Sequence, residues 1–101
     1  LRSVQHKPAI GGEGDLRAGR LRAAASRLRR ELAAHPAELR DRDIAEEELA
    51  ALTAMATRGT PEPAQLHRSL LLIAGAIGSV SALSGALREV RAAVEAFSEP
   101  G

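Results

Sequence analysis

At 101 residues the chain is sized for one small domain with a modest core. The apolar share is 45%, yet Phe97 is the only aromatic residue, so the interior must be built from Leu, Ile, Val, Met and Ala, which suits helix-on-helix packing and argues against sheets. Cysteine is absent, which excludes disulfides and thiolate chemistry and fits a reducing, cytoplasmic setting. The net charge of +1 excludes a global field that draws the chain to nucleic acid or anionic lipid.

Residues 1–14, LRSVQHKPAIGGEG, hold Pro8 and three glycines with no apolar period and read as a flexible tail. No secretory pattern is read in this polar, Gly-rich start. A first helix is expected from Asp15 to Ala34, with Asp15 as its N-cap. Leu21, Ala24, Ala25, Leu28 and Leu32 form its apolar stripe. Arg20, Arg22, Arg27, Arg29 and Arg30 fall off that stripe and form a basic face, a candidate surface for a protein partner. Pro36 stops the helix, because the residue before proline disfavours helical dihedrals. His35 then stands at a helix end, where a cation suits the dipole.

Asp41 or Asp43 caps a second helix, and Asp43 with Glu46 matches the spacing of a capping box. Ile44, Leu49, Leu52 and Met55 supply its buried side, and Gly59 is placed as the residue just past its end. Glu46, Glu47 and Glu48 read as a solvated acidic run rather than a catalytic pair.

Thr60 is the expected cap of a third helix, with Pro61 in its first turn. Pro63 can also be accepted there, and beyond it only interior glycines interrupt the pattern before Pro100, so one long helix over residues 61–97 is expected. Its stripe is Leu66, Leu70, Ile73, Ile77, Val80, Leu83 or Ser84, Leu87, Val90, Val94 and Phe97, spaced by threes and fours. A second, mostly small-residue face carries Leu71, Gly75, Gly78, Ala82 and Gly85. Interior glycines cost roughly 1 kcal/mol each against alanine, and close approach of another backbone is the expected offset.

Within this helix, residues 69–87, SLLLIAGAIGSVSALSGAL, carry no charge, so a single membrane span is an alternative. The stripe continues past Arg88, Glu89 and Arg91, however, and no Trp or Tyr belt flanks the segment. A buried helix is the better reading.

The expected fold is therefore all-α: two short amphipathic helices packed on one long C-terminal helix, completed by dimerisation. Residues 70–87 of both faces would carry self-association: Leu70, Leu71, Ile73, Gly75, Ile77, Gly78, Val80, Ala82, Gly85 and Leu87. His6, His35 and His67 lack partners at metal-ligand spacing, the serines lack a nucleophile elbow, and GAIGSVSALSG lacks the lysine of a phosphate loop. No catalytic residue, metal or cofactor is assigned. The expected function is a non-catalytic interaction module. A nucleic-acid reader using the arginine face is the second alternative, weakened by the lack of aromatic platforms.

The segments RDIAEEELAAL (Arg42–Leu52) and RSLLLIAGAIGSVSAL (Arg68–Leu83) resemble a family of small, uncharacterised actinobacterial proteins, and the arginine-rich, lysine-poor composition, in which Lys7 is the one lysine, resembles that of a GC-rich actinobacterial proteome. The resemblance spans roughly residues 15–97. It implies a helical fold and brings no activity and no functional residues.

Overall fold

The computed structural model describes residues 12–58 and 61–98, with side chains from Leu16 onward. Helix α1 runs Gly12–Ala34, α2 Arg42–Arg58, α3 Pro63–Ile77 and α4 Ser84–Glu95, with a single 3-10 turn, Ser81–Leu83, leading into α4. No strand occurs among the described residues. Each helix packs on its two neighbours in a ring, α1 against α2 and α4, and α3 against α2 and α4. Short links make successive helices antiparallel.

Leu21, Ala24, Ala25, Leu28 and Leu32 of α1 are all fully buried, as their spacing predicts. The helix starts at Gly12, so Asp15 lies inside it rather than capping it, and Gly12–Gly14 belong to α1 instead of the expected tail. The rest of that tail, residues 1–11, lies outside the described residues. Pro36 ends α1 as expected: the last turn closes with His35 N–H donating to Leu32 O at 3.2 Å.

Asp41 occupies the position before α2, its carbonyl accepting from Ala45 N–H at 3.2 Å, and Asp43 sits in the first turn. Leu49, Leu52 and Met55 are buried. Ile44 is not: it is 42% exposed, and Ala45 takes the inward position beside it. Gly59 and Thr60, placed from sequence as a helix end and a cap, lie outside the described residues. The third helix itself starts later than expected, at Pro63, with Glu62 in the N-cap position and no side-chain cap.

The single long helix over 61–97 is not formed. Helix α3 stops at Ile77, and residues 78–80 turn the chain before α4 begins. Gly78, Ser79, Val80 and Ser81 are four successive residues of modest or poor helix propensity. Val80 takes an extended backbone, φ −88° and ψ 103°. At Gly78 the chain passes so close to Ala74 O that any Cβ would collide with that carbonyl, while Gly78 N–H donates to it at 2.7 Å. The inward stripe survives the break. Leu66, Leu70, Ile73, Ile77, Leu83, Leu87, Val90 and Val94 are all buried, because α3 and α4 each turn one face to the same core. Val80 and Phe97 are half-buried, and Ser84 is exposed.

The break also divides the segment read as the alternative span. The uncharged stretch 69–87 is shared between α3, the turn and α4, and no described helix is long and apolar enough to cross a membrane.

Candidate interaction surface

Of the residues assigned to self-association, Leu70, Ile73, Ile77 and Leu87 point into the chain's own core. Leu71, Gly75, Gly78 and Ala82 face outward, and Val80 and Gly85 are half-covered. Leu71 is 70% exposed and its neighbour Leu72 is 41% exposed. The space beyond Gly75 is open, with nothing within 4 Å of where a Cβ would stand. Leu71, Leu72 and Gly75 form the outward side of α3.

Between α2 and α3 lies a shallow groove of about 330 Å³, walled by Glu48, Met55, Arg58, Gln65, Arg68 and Ser69. Its one buried polar side chain is Ser69, whose Oγ donates to Glu48 Oε1 at 2.7 Å. This bond ties α3 to α2. Sequence reading placed Glu48 in a solvated run, as Glu46 and Glu47 indeed are. The missed signal is spacing: Ser69 stands three residues after Leu66 and four before Ile73, on the inward stripe, where a hydroxyl needs an acceptor.

The arginines of α1 divide by role. Arg20, Arg22, Arg27, Arg29 and Arg30 are all exposed. Arg27 bridges Glu31 at 2.9 Å and Glu89 of α4 at 2.6 Å; its pKa is raised by the hydrogen bond to Glu31 first and that to Glu89 second. Arg30 donates to Ser26 Oγ at 3.0 Å. Arg22 reaches weakly, at 3.5 Å, to Ala56 O near the end of α2. Arg20 and Arg29 have no ion-pair partner among the described residues.

Two more arginines, outside the assigned face, close helix ends. Arg17 lies 5.0 Å from the centre of the Phe97 ring and donates to Ala96 O at 3.2 Å. Arg42 donates to Leu32 O through Nη1, and through Nη2 to His35 O at 3.1 Å and Ala37 O at 3.2 Å. The cation that closes the end of α1 is thus Arg42. His35 is half-buried, while His67 Nδ1 sits 3.0 Å from Pro63 O, the place of a donor to the turn below. Among the described residues no three His, Cys, Asp or Glu side chains come together as a metal site.

Four antiparallel helices around an aliphatic core, with apolar side chains left uncovered on one helix, define an all-α helical bundle with an open flank. Residues 11–98 match the family of unknown function DUF5955, and the chain belongs to that family. No curated protein and no solved structure matches it.

Proposed function

We propose that the chain is a non-catalytic self-association and protein-interaction module, an adaptor or scaffold domain that binds a second copy through the outward side of α3. The observation that carries this reading is the exposure of Leu71 and Leu72, 70% and 41%, while every other leucine of α2, α3 and α4 is buried. Full covering of a leucine contributes about 1.5–3 kcal/mol. Gly75, one turn along, offers an approaching backbone no obstruction. With the long helix broken at Gly78, the contact belongs to α3 and its neighbours rather than to a continuous 61–97 rod. The exposed Arg20 and Arg29 of α1 offer a second surface, suited to an acidic protein, which is the adaptor part of the role. The cysteine-free composition suits work in the cytoplasm.

Light scattering over a range of concentrations tests the reading. The wild-type chain is expected to be dimeric at high micromolar concentration, and the L71E/L72E double variant monomeric with an unchanged helical signal. A wild-type chain that stays monomeric throughout would overturn it.

A further inference from the structure

The side of α1 turned away from the core carries Leu16, Gly19, Ala23, Ser26, Arg30 and Ala33, at spacings of three, four, three, four and three. That alternation keeps one line of residues along a helix and is the spacing by which a second helix packs alongside. Leu16 is 70% exposed, whereas Leu21, Leu28 and Leu32 of the same helix are fully buried. Gly19 is half-buried and the rest of the line is exposed. Apart from Leu16 and Arg30 the line is made of small residues, so a helix laid on it comes close to the α1 backbone.

Arginines stand on both shoulders of this line, and all four are exposed. Arg20 and Arg27 lie toward α4, where Arg20 borders Glu89 and Ala92 and Arg27 bonds Glu89. Arg22 and Arg29 lie toward α2, where Arg22 reaches Ala56 O. Side chains at such shoulder positions pair with those of a partner helix and decide which helix is accepted. From Gly19 to Ala33 the one acid is Glu31, and both it and Glu89 are held by Arg27. The other exposed charges of α4 are Arg88, Arg91 and Glu95. Exposed Asp43, Glu46 and Glu47 belong to the first turns of α2, which begin beside the C-terminal end of α1, where Arg42 bonds Leu32 O. Glu48 is bonded to Ser69 of α3, and the next charge along α2 is Arg58. The line is therefore basic over most of its length and meets acids only at its far end.

We infer that this line on α1 seats one acidic amphipathic helix of another protein, with apolar or small residues along its own contact line and Asp or Glu on both shoulders. The inference rests on the adaptor part of the proposed function and gives that part a partner chemistry. The arginines choose among occupants. A second copy laid α1 on α1 sets arginine shoulder against arginine shoulder, and like charges repel. A nucleic-acid duplex answers the charge but not the exposed Leu16 or the helix-packing spacing. An acidic helix answers all three. From Leu16 to Ala33 the line is about 26 Å long, at the small end of specific interfaces, so the complex is weak and reversible. Its shoulder pairs are exposed, so it loosens as salt rises.

The probe is a synthetic fluorescent helix of about 21 residues, three heptads, with leucine and alanine along its contact line and glutamate on both shoulders. Its anisotropy is titrated with the full chain. The controls are the same helix with lysine shoulders, a scrambled peptide of identical composition and a short DNA duplex. The acidic helix is expected to bind in the micromolar range and the lysine helix not to bind. R20E/R29E, at arginines without an ion-pair partner among the described residues, is expected to weaken binding about tenfold or more. L16Q keeps every charge and is expected to weaken it about fivefold. Thermal melts confirm that each variant folds. L71E/L72E is expected to bind the helix as wild type does, so that this seat and self-association through α3 stand or fall separately. The seat is overturned if the acidic helix does not bind, if the scrambled peptide or the DNA duplex binds as tightly, or if L16Q changes nothing.

Discussion

Arg42 spans three backbone carbonyls, Leu32, His35 and Ala37, at the point where α1 gives way to the link. The last carbonyls of a helix have no partner within it, and a charged donor is a strong one. Replacing Arg42 by alanine removes all three bonds and is expected to lower the unfolding free energy by about 1–3 kcal/mol, read from the midpoint of urea denaturation. Arg42→Lys is expected to recover only part of this, because a compact ammonium cannot fork across acceptors as a planar guanidinium does. The Arg27 pairs are different in kind. With Arg27, Glu31 and Glu89 each more than a third exposed, they orient α1 against α4 more than they stabilise it.

At the level of the helix, two glycines of α3 and its exit make a controlled comparison. Gly75 is exposed within the helix with open space beyond it, and Gly78 faces the Ala74 carbonyl. Gly75→Ala is expected to stabilise the fold by about 0.5–1 kcal/mol through helix propensity. Gly78→Ala is expected to destabilise it, by about 1–3 kcal/mol, because the methyl displaces the chain reversal. Paired thermal melts check both signs. The contrast shows what the sequence displayed and what it concealed. Proline 36 and the spacing of Leu21, Leu28 and Leu32 made α1 legible to its C-terminal end. The reversal after Ile77 was concealed because the three-four stripe runs through it unbroken. Periodicity reports which side chains face inward, and both arms of a helical hairpin face the same core. Ile44 was misread for a related reason: it lies one position from the inward Ala45, and a small residue can hold the core side while a large one stays partly outside.

For the molecule as a whole, every fully buried large side chain is Leu, Ile or Val, drawn from all four helices and the turn before α4. Leu28, at 0% exposure in α1, belongs to a helix that contacts both α2 and α4. Leu28→Ala is expected to cost about 2–5 kcal/mol and to lower the melting of all four helices in a single transition by circular dichroism. The candidate interaction surface was only half legible. Sequence pattern distinguished a large-residue stripe from a small-residue face on the third segment. It could not assign Leu70, Ile73, Ile77 and Leu87 to the chain's own core, because the extra helix that helps to cover them arises from the unseen reversal.

The closures made by Arg17 and Arg22 have a kinetic consequence. The carbonyl ends of α4 and α2 are completed by α1 side chains 79 and 34 residues away along the chain. Such long loops must close before these ends are satisfied, so the last turns of both helices settle late, when α1 docks. In the folded protein the Arg17 contact is then expected to make α1 and the final turn of α4 open together, and amide exchange at Ala96 and Phe97 checks this.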